Sequence, residues 1–177
     1  MNLRRLSLRN FRNYEDVEFM PEAGLNLLVG KNAQGKTNLL EAIFLCCTGR
    51  SHRTRHDLDM IREGEDWAQA ECESVRYDGS HEVCVTLRRK GRKEIRVNGS
   101  GVSRLGEMMG HITAVMFSPE DLMLVKQGPG ERRRFLDMAI SQLRPAYFYA
   151  LQQYHRALRQ RNQLLKQSGA GRHLLQP

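Results

Sequence analysis

The sequence lacks the features that mark secreted and membrane proteins. Arginines occur throughout its first nine residues, and no apolar core of a signal peptide follows them. The longest uninterrupted apolar run, Ala42–Cys47, is far shorter than a membrane-spanning helix. These absences predict a cytoplasmic protein without a membrane partner.

Cysteine is scarce, and its spacing excludes two common uses of the residue. The chain has 4 cysteines in 177 residues, and no CxxC pair occurs. Cys46 and Cys47 are adjacent inside the apolar run, where they fit neither a zinc site nor a disulfide framework. We expect reduced, buried thiols.

Acidic residues are outnumbered: 28 Lys and Arg stand against 20 Asp and Glu, for a net charge of +8. This balance favours acidic partners such as nucleic acid, nucleotide or anionic lipid, although many soluble proteins are basic without such a partner. The hydrophobic fraction of 40% is enough for a folded core, in one domain or one domain with part of another.

The first fifty residues predict three strands and a helix. Alternating apolar residues predict a half-exposed strand over 2–9 and a short second strand around Val17 and Phe19, with a turn at 13–15. The apolar run Leu25–Val29 predicts a buried strand. Lys36–Thr48 has helical periodicity, and Gly49 is a natural stop.

The middle of the chain is polar and then β-rich. Residues 50–66 predict an exposed segment. An antiparallel meander is expected over 68–77, 82–89 and 93–97, with turn signals at 78–80, 90–92 and 98–99. Ile112–Phe117 predicts one more strand, and Ser118-Pro119-Glu120-Asp121 then has the cap, proline and acids of a helix start.

The last third is helical by pattern. A helix is expected to begin near Glu131 and to continue to about Gln167, with one interruption at Pro145. Its apolar residues recur at steps of three and four, which indicates either a coiled-coil seam or a helix packed on its own domain. No partner helix follows, and 168–177 reads as a loop or a truncated end. We therefore divide the chain into a head (1–137) and the start of a helical arm (138–177).

The most informative motif is GxxxxGK[ST], the phosphate-binding loop, or P-loop. Its glycines permit close backbone approach, so that successive N–H groups form an anion nest in front of a helix N-terminus. The lysine then neutralises the β- and γ-phosphates of ATP, and the threonine hydroxyl binds Mg²⁺. The motif consists of Gly30, Lys31, Asn32, Ala33, Gln34, Gly35, Lys36 and Thr37.

A complete ATPase also needs an acidic group at the end of an apolar strand. The only candidates are Glu120 and Asp121, which come three residues late and within a helix start. No segment like Leu-Ser-Gly-Gly is present either. The sequence therefore predicts nucleotide binding without the groups that complete catalysis.

One basic cluster is a candidate for contact with the DNA backbone, although an ordinary charged turn explains it about as well. No aromatic residue interleaves these charges, so base stacking is not indicated. The cluster comprises Arg88, Arg89, Lys90, Arg92 and Lys93.

Several segments in combination resemble the SMC and RecF group of ABC-type ATPases, and the RecF family within it. The opening Leu8-Arg-Asn-Phe-Arg-Asn-Tyr14 precedes the P-loop as it does in that group. The P-loop with its following Asn-Leu-Leu-Glu-Ala-Ile, the stretch Phe117-Ser-Pro-Glu-Asp-Leu122 and Gly128-Pro-Gly-Glu-Arg-Arg-Arg-Phe-Leu-Asp137 are similar to RecF segments. Tyr154–Asn162 also fits.

The resemblance implies an α/β fold, the N-terminal part of a P-loop ABC-type ATPase head with an antiparallel β meander, followed by the beginning of a helical arm. It implies ATP and Mg²⁺ as ligands, with Arg12 and Asn13 near the nucleotide, and an ATP-dependent homodimer. It implies DNA, RecR-like and RecO-like partners, and help in loading RecA at single-strand gaps.

The family's signature segment, its Walker B acids and the returning arm helix would lie beyond Pro177, so we expect an N-terminal fragment. Two alternatives remain. A P-loop kinase or small GTPase would need an NKxD-like segment or a lid, and neither is found. A non-catalytic DNA- or partner-binding module with a structural nucleotide site also fits the missing acids.

Overall fold

The computed structural model describes residues 1–126 and 128–172, apart from the side chains of Glu120, Leu122, Met123, Val125 and residues 168–172. In chain order its elements are β1 (Asn2–Phe11), β2 (Tyr14–Phe19), α1 (Lys36–Thr48), a 3-10 helix (Asp57–Met60), β3 (Trp67–Arg76), β4 (Gly79–Arg88), β5 (Glu94–Val97), β6 (Ser100–Val102), α2 (Leu105–Met108), a second 3-10 helix (Pro119–Leu122), α3 (Met123–Lys126), α4 (Pro129–Leu143) and α5 (Pro145–Arg172).

The six strands form one antiparallel sheet in the order β2-β1-β3-β4-β5-β6. Alternation along β1 places Leu6 and Leu8 in the core, and Leu8 pairs with Val17 on one side and with Ala70 on the other. Helix α1 packs on β3 and β4 through its buried face, which includes Leu45 and Cys46. This packing fixes the direction in which the N-terminus of α1 points.

The predicted β meander is confirmed, with the 98–99 turn as predicted and the strand ends shifted by one to three residues. The β3–β4 turn is Tyr77-Asp78, so Gly79 and Ser80 already belong to β4. The β5–β6 turn is Asn98-Gly99, with positive φ at both residues (50° and 77°), as a two-residue hairpin requires. Strand β6 and helix α2 were not predicted because each is only three or four residues long.

The first hairpin turns earlier than the sequence indicates. Phe11 pairs with Tyr14, so the turn is Arg12-Asn13 rather than 13–15. Asn10 and Arg12 adopt left-handed conformations, with φ of 49° and 55°. The Arg12 N–H donates to the Met60 carbonyl at 2.8 Å, which shows that contact with the 57–60 helix determines this turn.

Two predicted strands are wrong. Residues 25–29 are not a buried strand: Leu25 is 95% exposed and Leu27 82% exposed. Residues 112–117 form only an isolated bridge at Ile112, and Phe117 is 80% exposed. Among the described residues no strand pairs with either segment, so the backbone of both lacks a ladder. Most of their apolar side chains face solvent, but Ile112 is buried, and Leu28 and Ala114 pack against the core.

The segment 50–66 is less exposed than predicted. Met60 and Ile61 are buried, and Ile61 bridges to Phe11 at the end of β1. This apolar pair anchors the polar loop to the sheet, because its side chains continue the β1 core.

The helix predictions hold in outline. Helix α1 has the predicted bounds, and Gly49 ends it in a left-handed conformation, with its N–H bonded to the Leu45 carbonyl at 2.7 Å. Helix α4 begins at Pro129, two residues before the predicted start, and the break falls at Arg144. The helix predicted after Ser118 is one 3-10 turn followed by α3.

The apolar stripe along α4 and α5 is largely uncovered. Leu136, Leu143 and Tyr154 are each more than half exposed. Helix α4 runs through residue 137 without a break, so the head and arm boundary remains a prediction. The predicted loop at 168–177 is helical up to Arg172 and otherwise lies outside the described residues.

The four cysteines are free and buried, as predicted. A hydrogen bond with Cys72, together with burial, raises the pKa of Cys46, and burial raises the pKa of Cys47. Across 1–126 and 128–172, we find no helix with the length and apolarity that crossing a bilayer demands.

Candidate functional site

The P-loop lies between the exposed 25–29 segment and the N-terminus of α1. Ala33 and Gly35 both have positive φ, 63° and 99°, so the chain folds back on itself before the helix begins. The Gly35 carbonyl accepts the Asn38 N–H at 2.7 Å, which starts α1. Apart from buried Gly35 and half-buried Lys36, residues 30–37 are exposed. The helix N-terminus is thus open to an anionic ligand.

Gly35 is required by contact as well as by conformation. A Cβ at this position would lie 2.7 Å from the Tyr14 hydroxyl and 2.8 Å from each polar atom of the Asn13 side chain. The first hairpin therefore packs closely against the P-loop. The predicted place of Asn13 near the nucleotide stays a prediction.

Lys36 is folded onto its own loop. Its Nζ donates to the Gly30 carbonyl at 2.7 Å and to the Lys31 carbonyl at 2.6 Å. The ammonium group is thereby positioned within the concave loop that the motif predicts for phosphates. Thr37 follows on the first turn of α1 and is exposed, which fits a hydroxyl available to a nucleotide-bound Mg²⁺.

A polar chain connects the hairpin, α1 and the 50–56 loop. The Asn38 amide nitrogen donates to Asn13 Oδ1 at 2.8 Å, and Arg53 Nη1 donates to Asn38 Oδ1 at 2.9 Å. Asn13 also reaches the Gln34 carbonyl at 3.4 Å. Arg53 is therefore part of the site, although the sequence placed it in an exposed segment.

Glu41 is the site residue that sequence reasoning missed. It is fully buried on α1, and Arg12 donates to both of its oxygens, Nε at 2.9 Å and Nη2 at 2.7 Å. Ser51 Oγ donates at 2.5 Å, and Arg53 Nη1 lies 3.4 Å away. The sequence did contain a signal for this site: Glu41 falls among the apolar residues of α1, and a carboxylate buried there requires a positively charged or hydrogen-bonding partner.

The electrostatics of Glu41 are dominated by these partners. Burial alone would raise the pKa of this carboxyl, but the hydrogen bonds from Arg12 and Ser51 and the charges of Arg12 and Arg53 outweigh it and lower the pKa. Glu41 is therefore ionised and holds Arg12, whose Nη1 also donates to the Asp59 carbonyl at 2.6 Å. These contacts fix the Arg12 side chain between α1 and the 57–60 helix, and its predicted place near the nucleotide stays a prediction.

These side chains line an open cleft of about 790 Å³ beside the P-loop. Three arginines, two asparagines and two acids, Asp59 and Glu63, make it polar. Its lining residues are Arg12, Asn13, Asn38, Arg53, Asp59, Ile61, Arg62 and Glu63.

Of the two acids considered for the catalytic role, Asp121 has a local structural use, and the side chain of Glu120 lies outside the described part of the chain. Asp121 Oδ2 accepts the Ser118 N–H at 2.6 Å and the Ser118 hydroxyl at 3.1 Å, so it closes the 3-10 turn. Within the part of the chain that the structure describes, no group of three or more His, Cys, Asp or Glu is placed to hold a metal ion.

The basic cluster lies at the β4–β5 connection. Three of its residues are paired with other groups of the protein, and two are exposed and have no hydrogen bond or ion pair in the described part of the chain. Arg89 Nε donates to the Glu65 carbonyl at 2.6 Å, and Lys93 Nζ bonds the Gly49 carbonyl and Asp57 Oδ2, both at 2.8 Å. Arg88 pairs with Glu94 at 3.2 Å. Lys90 and Arg92 are exposed at the tip. Lys93 therefore has a structural role, because its bonds join the β4–β5 connection to the end of α1.

Comparisons with known proteins agree on one group. A family described as "AAA domain" matches residues 5–168. The DNA replication and repair protein RecF of Acetivibrio thermocellus is 42% identical over 99% of this chain and 47% of its own length. RecF of Geobacillus thermodenitrificans is 46% identical over 94% of this chain and 44% of its own. The chain thus spans about half the length of the curated relatives it matches.

Solved structures give the same picture. A structure described as the recombination mediator protein RecF with ATP in the RecFOR pathway has a TM-score of 0.86 and 38% identity, covering 93% of this chain and 44% of that one. A structure from work on ATP-driven dimerisation and DNA-stimulated activation of SMC ATPases has a TM-score of 0.61 and 24% identity, covering 77% of this chain and 98% of that one, a likeness of fold alone.

Proposed function

Since the chain belongs to the AAA-domain family, is of the RecF type and has the α/β fold of an ABC-type ATPase head, we propose that it binds ATP at residues 30–37 and acts in DNA replication and repair. One observation carries the proposal: the Lys36 ammonium lies in a concave loop at an open helix N-terminus, held there by two loop carbonyls. A triphosphate supplies the negative charge that this arrangement lacks.

Residues around the loop have separate roles in this proposal. Lys36 and the loop N–H groups bind the phosphates, and Thr37 contributes one ligand to a Mg²⁺ that the nucleotide brings. Asn13 and Arg12 border the phosphates from the hairpin side. Mg²⁺ would neutralise phosphate charge when bound.

The chain binds ATP without hydrolysing it in this proposal. Asp121 is engaged by Ser118. The described residues contain no group of three or more His, Cys, Asp or Glu placed to hold a metal ion. A non-catalytic nucleotide-binding module is thus the description that fits this chain. We propose that hydrolysis, ATP-dependent dimerisation and binding of RecR-like and RecO-like partners are activities of the full-length protein.

Nucleotide binding is tested by titrating a fluorescent ATP analogue with Mg²⁺ into the protein. Lys36→Ala removes the central cation, so we expect affinity to fall at least about tenfold, as the loss of a charge-assisted contact of about 1.5–3 kcal/mol implies. Lys90→Ala removes the same charge at a distant tip and is the matched control. Equal affinity in wild type and Lys36→Ala contradicts the site.

DNA binding is proposed for the exposed tip of the β4–β5 connection. Lys90 and Arg92 are the contacts, because Arg89 and Lys93 are held by backbone carbonyls and Asp57. Such contacts are electrostatic and not specific for sequence. In the complete protein they would help to place RecA at single-strand gaps.

Salt dependence tests this assignment. For single-stranded DNA, each phosphate contact contributes about −0.7 to the slope of log affinity against log salt concentration. We expect Lys90→Ala with Arg92→Ala to reduce the slope by roughly 1.4, while Lys93→Ala leaves it unchanged. A slope change confined to Lys93→Ala overturns the division of the cluster.

A further inference from the structure

Two histidines meet at a seam far along the sheet from the P-loop. His81 lies on β4 just after the β3–β4 turn, and His111 follows α2. Their Nδ1 atoms are 3.3 Å apart, with ring centroids 5.5 Å apart and ring planes inclined at 55°. The His81 side chain is 15% exposed. The pair therefore joins two separate parts of the chain in a half-buried position.

The distance between the nitrogens suits two arrangements. Hydrogen bonds donated by N–H groups to oxygen have heavy-atom distances of about 2.7–3.2 Å, so a hydrogen bond at 3.3 Å would be a long one. Two nitrogens bound to one tetrahedral Zn²⁺ at about 2.0–2.1 Å each are separated by about 3.3–3.4 Å. The observed spacing therefore lets both nitrogens reach one metal ion.

The other side of the His81 ring is already fixed. Asp78 Oδ1 lies 3.1 Å from His81 Nε2, and an ionised carboxylate can only accept, so Nε2 carries the proton. The lone pair of neutral His81 is then on Nδ1, the atom that faces His111. A carboxylate behind a histidine is the usual support of a metal-binding imidazole.

Neighbouring charges nearly cancel at this place. Arg76 Nε lies 3.3 Å from Asp78 Oδ1, and Arg76 Nη1 donates to the Gly110 carbonyl at 2.7 Å. The guanidinium opposes a bound cation, and the Asp78 carboxylate offsets it. Arg76 also holds the two segments in register, so the histidines are brought together before any ligand binds.

We propose that His81 and His111 form a binding site for a divalent transition-metal ion such as Zn²⁺, with Asp78 as the positioning residue. Since the described residues contain no group of three or more potential metal ligands, water completes the coordination shell. Bound metal would link the β3–β4 hairpin to the segment between α2 and the helices that follow.

The test uses Zn²⁺ alone, added to the whole 177-residue chain, with thermal unfolding and calorimetric titration as readouts. We expect one saturable equivalent and a rise in Tm. His111→Asn, which keeps a polar group of similar size, abolishes both. His155→Asn, on exposed α5, is the matched control and leaves both unchanged.

The zinc affinity of Asp78→Asn distinguishes a metal site from a pair of histidines that only stabilises the fold. Loss of a supporting carboxylate weakens metal binding by about 10–100-fold while the two ligands remain. Added Co²⁺ gives visible absorption that depends on His81 and His111. Zinc binding that is absent in wild type, or that survives unchanged in His111→Asn, overturns the proposal.

Discussion

The Glu41 clamp gives the sharpest prediction for the free energy of unfolding. In Glu41→Gln the side chain keeps its shape but loses its charge. Arg12, whose side chain is only 20% exposed, then loses its carboxylate partner. Removing one partner of a buried pair costs about 3–5 kcal/mol. Because Arg12 keeps the Asp59 carbonyl and the substituted amide retains an acceptor oxygen, we expect a loss of about 2–3 kcal/mol.

The assay is urea unfolding monitored by circular dichroism, with Glu15→Gln as the control. Glu15 also pairs with an arginine, Arg62 at 3.0 Å, but is 76% exposed. An exposed pair contributes about 0–1 kcal/mol, so the control separates burial from pairing. Equal losses in the two variants refute the reasoning.

The same variant should change the acid stability of the protein. The pKa of Glu41 is lowered in the folded state from its ordinary 4.5, so the unfolded state binds the proton more readily. The contribution is therefore fully present above about pH 4.5 and is lost as the pH falls through the lower folded value. Wild-type unfolding free energy should fall more steeply with acid than that of Glu41→Gln; parallel curves contradict this.

Three further outcomes are expected. Gly35→Ala forces a Cβ into the Asn13 and Tyr14 side chains at a φ of 99°, so we expect nucleotide affinity to fall at least about tenfold in the fluorescence titration. Gly130→Ala is the control, because its Cβ enters open space and should leave the affinity unchanged. A larger loss in Gly130→Ala than in Gly35→Ala contradicts the argument from close approach. Phe117→Ser removes a side chain that is 80% exposed, so light scattering should detect less self-association. The buried cysteines should react with a thiol reagent only after unfolding, and rapid native labelling argues against their burial.

Local pattern determined much of this fold. The bounds of α1 follow from a glycine at each end and a helical apolar period between them, and the meander follows from alternation and turn residues. The two apolar runs at 25–29 and 112–117 were assigned as strands because apolarity indicates burial, yet burial requires a pairing partner that composition does not report.

The sequence predicted the P-loop of the site but not the residues that surround the loop. The P-loop motif specifies Lys36 and Gly35 by backbone chemistry that is local in sequence. The clamp joins Arg12 to Glu41 across 29 positions, and the turn that presents Arg12 depends on its bond to Met60. Lys93 belonged to an apparent surface cluster, but Asp57 and the Gly49 carbonyl turn it inward. Such long-range pairings follow from topology rather than from spacing.

The two bonds of Lys36 to its own loop carbonyls make the backbone of the loop a competitor for the ligand. The ammonium has three N–H groups, so one is left for an entering phosphate, and any further bond to phosphate must replace a loop carbonyl. A monoanion offers one weak exchange, whereas a triphosphate offers several charged oxygens along the loop at once. We therefore expect the affinity of the loop to rise with the number of phosphates in the ligand.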